Sequence, residues 1–265
     1  MIDRIGDRRV FPVGLGTYGM GGFQSRASGS DEKYVSAIRY ALSKGINVID
    51  TAEMYASGHT EEIVGKAVSS VDRKDVFIIS KVWPTHLGRR DLRKSLEGSL
   101  KRLNVDYLDL YLIHWPSTEV PLDESISALV ELRDQGKIRH LGVSNFDENL
   151  LEDAMAFAGK GQIAANEIEY NYGNRKEVRG LLEFCKKHGI TVIAYTPLSR
   201  GAYARSQRIE EMAEKYGKSE LQIGLRLVME DAIPIPKASS PEHIDELVDT
   251  VGIDMNSEDL NYLRE

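Results

Sequence analysis

Short apolar runs recur along the whole chain, at residues 46–52, 76–82, 107–114, 138–145, 163–170, 191–197 and 232–238, with starts roughly 25 to 40 residues apart. Segments of helical periodicity lie between them, at 32–43, 90–103, 125–135, 176–188 and 220–230. A strand that is apolar at every position must be covered on both faces, which a parallel sheet with crossover helices achieves. Residues 12–17 add an eighth run, and eight strand–helix units predict an α/β fold: a single (β/α)8 TIM barrel spanning residues 1–265. Ahead of it, residues 2–5 and 8–11 flank Gly6-Asp7 and predict an N-terminal β-hairpin that plugs the barrel bottom. A doubly wound sheet is the structural competitor.

Gly14-Leu15-Gly16-Thr17-Tyr18-Gly19 matches G-x-G-x-x-G, the pattern that brings a helix N-terminus up to a pyrophosphate. Its context is wrong for that role. Glycines and a polar stretch follow where a helix should open, and no acidic residue ends a strand about twenty residues on. The segment is expected to be a glycine-rich turn after the first barrel strand.

Composition excludes several classes of partner. With 34 basic and 41 acidic residues the net charge is -7, which offers no positive excess for nucleic acid or an anionic membrane surface. The one cysteine, Cys185, cannot form an internal disulfide, and the six scattered histidines have no zinc spacing. No metal is expected. The first residues carry no apolar leader and no run approaches the ~18 apolar residues of a membrane span, so a cytoplasmic protein is the expectation. No heptad pattern or evident apolar patch calls for a partner chain, and a monomer is the default.

In barrels the chemistry gathers at the C-terminal ends of the strands. Asp50, Lys81 and His114 each close an apolar run there. Isolated buried charges are costly, so Asp50 and Lys81 are expected to pair. Tyr55 follows Asp50 by five residues, within reach of the same mouth. An adjacent ammonium lowers a phenol's pKa, so Asp50, Lys81 and Tyr55 could relay a proton while His114 hydrogen-bonds an incoming oxygen. That arrangement suits carbonyl chemistry. Trp83 and Trp115, just past two of these strand ends, could wall an apolar pocket.

These residues lie in segments that resemble the aldo-keto reductase superfamily over nearly the full chain. Asn47-Val48-Ile49-Asp50-Thr51-Ala52-Glu53-Met54-Tyr55 is similar to the segment of its catalytic aspartate and tyrosine, and Ser80-Lys81-Val82-Trp83 to that of its lysine. Asp109-Leu110-Tyr111-Leu112-Ile113-His114-Trp115-Pro116 is similar to the histidine segment, and Gly142-Val143-Ser144-Asn145-Phe146 to the one that holds the cofactor amide. The resemblance implies that Tyr55 is the general acid in reduction and the general base in oxidation, that Asp50 and Lys81 tune it, and that His114 orients the carbonyl. It implies an extended nicotinamide dinucleotide at the barrel mouth, hydride transfer to a small aldehyde or ketone, and no metal. Ser144, Asn145 and Glu167 would hold the carboxamide and Tyr195 would stack under the ring. Gly16, Thr17 and Tyr18 match positions lining the mouth, and Thr196, Leu198 and Arg200 match pyrophosphate contacts.

Three departures qualify the resemblance. Glu167 stands where many members have glutamine, and an ionised carboxylate can only accept hydrogen bonds. The segment 235–243 is similar to the adenosine 2′-phosphate site, with Lys237 and Ser239 in place but His243 where arginine is usual. The resemblance therefore implies NADP(H), with NAD(H) as the alternative, and sets Glu246 near the adenine. Only a short stretch follows Lys237, so the pocket should be open, with selectivity left to Tyr18, Met20, Trp83, Trp115 and the short loops. Two other classes compete: a nucleotide-sensing regulatory subunit, and a phosphate-binding isomerase that would leave Tyr55 and Tyr195 without a role.

Overall fold

The computed structural model describes residues 1–27, 29, 31–199 and 206–265. Strands β1 (Arg4–Ile5) and β2 (Arg8–Arg9) pair antiparallel as the expected hairpin. Eight strands then form one parallel sheet in chain order: β3 (Leu15–Gly16), β4 (Val48–Asp50), β5 (Phe77–Val82), β6 (Leu108–Ile113), β7 (Ile138–Ser144), β8 (Ile163–Glu169), β9 (Thr191–Tyr195) and β10 (Ile233–Pro234). The sheet closes on itself through Gly14 N–H to Pro234 O at 2.9 Å and Gly16 N–H to Pro236 O at 3.0 Å, joining its first and last strands. This is the (β/α)8 barrel. The helix expected at once by a dinucleotide-binding turn is absent after Gly19, and α1 (Asp31–Ser43) starts only at Asp31.

The helices α2 (His59–Val68), α3 (Arg89–Leu103), α4 (Leu122–Asp134), α5 (Glu148–Ala158) and α6 (Arg179–His188) fill the successive crossovers from β4 to β9. Two helices, α7 (Gln207–Tyr216) and α8 (Glu220–Val228), precede β10, and α9 (Pro241–Val251) and α10 (Ser257–Arg264) follow it. The ring of helices closes where α9 meets α1: Asp245 accepts a hydrogen bond from Tyr40 and pairs with Lys44 at 2.8 Å. Local sequence sets the helix ends. Asp147 caps α5 through Leu150 N–H, Ser219 and Gln222 form a capping box on α8, and Asn104, Gly189 and Gly217 end α3, α6 and α7 with positive φ. Helices α2 and α5 lie outside the segments picked out by periodicity. Among the described residues no helix is long and apolar enough to cross a membrane.

Period-two alternation sorts the strand residues between two cores. Ile49, Ile78, Val82, Tyr111 and Ile113 face outward into the layer between sheet and helices. Val48, Phe77, Ile79, Leu110, Leu112, Ala165 and Ile193 fill the barrel interior, with Ile5 and Val10 of the hairpin region sealing its lower end. The next inward positions on β4, β5, β8 and β9 are Asp50, Lys81, Glu167 and Tyr195, and the next beyond β6 is His114. Polar side chains thus form the top interior layer because they continue the inward register of the core.

Closure leaves no room at Gly16, where a Cβ would lie 2.5 Å from the carbonyl oxygen of Ile235. Gly16→Ala should therefore cost about 1–3 kcal/mol of stability through forced separation of β3 from β10, read as a lower urea unfolding midpoint. A midpoint equal to the parent's would mean that the seam relaxes freely.

Candidate active site

Lys81 is fully buried and its Nζ is the hub of the upper layer. It donates to Asp50 Oδ2 at 2.5 Å, to the carbonyl of Thr51 at 3.1 Å and to the Tyr55 hydroxyl at 3.3 Å, and lies 3.4 Å from Glu167 Oε1. Burial alone would push this ammonium down, but Asp50 and Glu167 outweigh it and hold the pKa above the ordinary lysine range. Lys81 is charged, as its expected pairing with Asp50 requires.

Tyr55 sits in a tight turn, Tyr55–Gly58, in which Ala56, Ser57 and Gly58 all have positive φ. Such backbone is strained for alanine and serine and must be held by its surroundings. The holders are the loop after β3: Ala56 N–H donates to Phe23 O at 2.6 Å and Ser57 Oγ to Gln24 O at 2.7 Å. One expectation needs correction here. Burial is the largest influence on the Tyr55 phenol and outweighs the lowering by Lys81, so its pKa rises above the ordinary value instead of falling. The negative charge of Asp50 adds to the rise. The hydroxyl therefore stays protonated at neutral pH.

His114 packs edge-to-face against Tyr55 and Trp83, with ring centroids 5.8 and 5.2 Å away. Burial, helped by the Lys81 charge, pushes its pKa down to about 3, so the imidazole is neutral across the physiological range. Its buried Nδ1 has no hydrogen-bond partner among the described residues.

Above these groups opens a cavity of about 830 Å³. Of the residues singled out in the sequence, Gly16, Tyr18, Asp50, Tyr55, Trp83, His114, Trp115, Ser144, Asn145, Glu167, Tyr195, Thr196, Leu198 and Lys237 line it. Thr17 and Met20 do not. Thr17 is fully buried behind the wall with its hydroxyl bonded to Asp50 O at 2.7 Å, and Met20 turns into the core while its carbonyl accepts from Thr60. The pocket position expected of Met20 is taken by Phe23, exposed at 63% and edge-to-face with Tyr18 at 5.4 Å. Gln24, Met54, Pro197, Ile235 and Pro236 also line the cavity without having been singled out, although Met54, Ile235 and Pro236 stand inside the quoted segments; β10 and the turns bring them there. Ser239, His243 and Glu246 lie beyond the lining, before and on α9, and Glu246 accepts a hydrogen bond from Ser219 at 2.5 Å. Arg200 lies outside the described residues.

The polar side chains at the ends of β7, β8 and β9 saturate one another. Asn145, with φ 63°, donates from Nδ2 to His114 O at 3.1 Å and to Ser144 Oγ at 2.9 Å, and accepts the Tyr195 hydroxyl at 2.8 Å. Ser144 donates onward to Glu167 O at 2.9 Å. Glu167 Oε2 is left buried with no partner among the described residues. The Lys237 side chain is exposed, with no carboxylate in ion-pair range among the described residues. A dinucleotide fits such a residue set, with amide, hydroxyl and carboxyl side chains at one end of the cavity and the Lys237 cation, over the Tyr34 ring and close before a helix, at the other. Among the described residues no cluster of histidine, cysteine or carboxylates could hold a metal.

Comparison with known proteins gives the same picture. The model of the Aldo/keto reductase family matches residues 12–265. A methylglyoxal reductase of Escherichia coli, YeaE, is 35% identical over 99% of this chain and 93% of its own length, and a glyoxal reductase of Bacillus subtilis is 34% identical over 93% and 87%. Among solved structures, a thermostable aldo-keto reductase in complex with the inhibitor epalrestat superposes with a TM-score of 0.94 at 44% identity, covering 98% of this chain and 97% of that one. An aldo/keto reductase from Klebsiella pneumoniae in complex with NADP and acetate gives 0.89 at 36% identity, covering 98% and 93%. With barrel, upper interior layer and relatives in agreement, the chain belongs to the aldo/keto reductase family of oxidoreductases.

Proposed function

We propose that this protein reduces small aldehydes and ketones with a nicotinamide dinucleotide, reversibly, and that Tyr55 delivers the proton. The observation that carries this reading is the Tyr55 hydroxyl, protonated, 3.3 Å from the Lys81 ammonium and facing the cavity. A bound nicotinamide supplies the hydride. Tyr55 gives its proton to the oxygen that gains negative charge, and Lys81 stabilises the phenolate left behind while Asp50 keeps Lys81 in place. Neutral His114 steadies the same oxygen by a hydrogen bond. Tyr18, Phe23, Trp83 and Trp115 exclude water and favour carbonyls with apolar substituents. The reductases of methylglyoxal and glyoxal among the relatives support small reactive aldehydes as substrates.

Lys237, Ser239 and the N-terminus of α9 favour NADP(H) over NAD(H), because a 2′-phosphate needs cations and free N–H groups. The test is steady-state oxidation of NADPH and, separately, NADH with methylglyoxal. NADPH should be preferred, and Lys237→Ala should raise its KM about tenfold, the worth of one charge-assisted hydrogen bond, with much less effect on NADH. Equal KM changes for the two would place Lys237 away from the phosphate. No turnover with either would refute the reductase.

A further inference from the structure

Two carboxylates share one ammonium at the centre of the barrel. Lys81 lies 2.5 Å from Asp50 and 3.4 Å from Glu167, and neither carboxyl is more than 2% exposed. Were both ionised, the trio would carry a net negative charge at the buried floor of the cavity, with one oxygen, Glu167 Oε2, facing no donor among the described residues. Like charges this close do not both ionise readily; one member of such a pair keeps a proton. We propose that Glu167 is the protonated member of an Asp50–Glu167 acid pair clamped by Lys81, and that its O–H serves as the hydrogen-bond donor for a carbonyl oxygen of the dinucleotide's carboxamide.

The shorter contact selects Asp50 as the ionised partner. Burial, then the charge of Asp50, raises the Glu167 pKa well above the carboxylate range against the opposing pull of Lys81. The saturated neighbours add a reason from geometry. Asn145 has both N–H groups committed and the Ser144 and Tyr195 hydroxyls have given their protons elsewhere, so a neutral Glu167, whose O–H is shared with Asp50 until a ligand carbonyl takes it, is the donor left at this end of the cavity. The other groups that face the pair are the Lys81 ammonium, the Tyr55 phenol and the neutral His114; Glu169, two residues on, acts on Tyr195 and is exposed. A neutral acid at position 167 has the hydrogen-bonding capacity of glutamine, with one difference: high pH abolishes its donor.

The donor role rests on the proposed dinucleotide, but the proton itself does not, and the experiment separates them. Infrared difference spectra of the cofactor-free protein, wild type against Glu167→Gln at neutral pH, should show the carbonyl stretch of a buried protonated carboxylic acid in the wild type and its loss in the variant. No such band, or a band that survives Glu167→Gln, overturns the proposal. The linkage has a definite sign. Because folding raises this pKa, the folded state binds the extra proton, so stability is fully present below the ordinary value of 4.5 and is lost as pH rises through the raised value. Urea unfolding should show the wild type losing ground to Glu167→Gln as pH rises from 4.5 towards the raised value, and parallel curves overturn the assignment. NADPH affinity, followed by fluorescence quenching, should fall about tenfold in the wild type from neutral to alkaline pH, one hydrogen bond's worth, and stay flat in Glu167→Gln. Equal pH dependence in both overturns the donor role. A protein that shows the band but binds neither dinucleotide keeps its proton on Glu167 and refutes the proposed function instead.

Discussion

Tyr55→Phe should slow carbonyl reduction by about a hundred- to ten-thousand-fold, the usual worth of a positioned proton donor, while dinucleotide affinity stays nearly unchanged. The substitution removes one oxygen whose sole hydrogen bond among the described residues is a long one from Lys81, and Lys81 retains Asp50, the Thr51 carbonyl and Glu167. The aromatic contacts survive, because a phenylalanine ring can still stand edge-on to Tyr18 and His114. Unfolding free energy should therefore move by no more than about 0.5 kcal/mol. Loss of turnover with binding and stability intact is the signature of a missing proton. Full activity would transfer the role to another group at the cavity floor, where His114 and Glu167 are the available candidates.

Lys81→Met has the opposite profile, in which chemistry and fold fail together. It strips the cation from two buried carboxyls, and removing one partner of a buried ion pair costs about 3–5 kcal/mol. Urea unfolding at neutral pH should show a loss of that size. The deficit should shrink as pH falls, because protonation removes the uncompensated charge of Asp50. Turnover should fall at least as far as in Tyr55→Phe, since the phenolate would form in a buried site with no adjacent cation. A variant as stable as its parent at neutral pH would mean that Asp50 has another counter-charge or reaches water.

Part of this site was legible because a polar residue closing an apolar run is a local signal, which marked Asp50 and Lys81; Glu167 came with the family resemblance. Asp50, Lys81 and Glu167 each stand two residues beyond an interior apolar residue, Val48, Ile79 and Ala165, and a parallel barrel sends every such position to the same mouth. The strands themselves were readable from apolar runs, with ends trimmed by a residue or more; residues 46–52 became Val48–Asp50 and residues 12–17 became Leu15–Gly16. Helices α2 and α5, like α7, α9 and α10, lie outside the periodic segments. Their marks were short-range: Gly58 with positive φ before α2, and Asp147 capping α5.

Other features depend on contacts between distant parts of the chain. Whether Met20 or Phe23 faces the cavity is decided by the packing of the glycine turn on α2, where Thr60 holds the Met20 carbonyl and Ile63 and His59 crowd Gly21. The direction of the Tyr55 shift was misjudged because Lys81 was taken as the deciding neighbour, while burial, the largest influence on the phenol, was not weighed. The sequence by itself determined an eight-stranded parallel barrel and the identity of the groups at its mouth, because alternation and chemistry are carried by residues close together in the chain. Only the tertiary structure decided their charge states. A proton's affinity depends on solvent exclusion and on charges within a few ångströms, and here those come from β4, β5 and β8, which only barrel closure brings to one point.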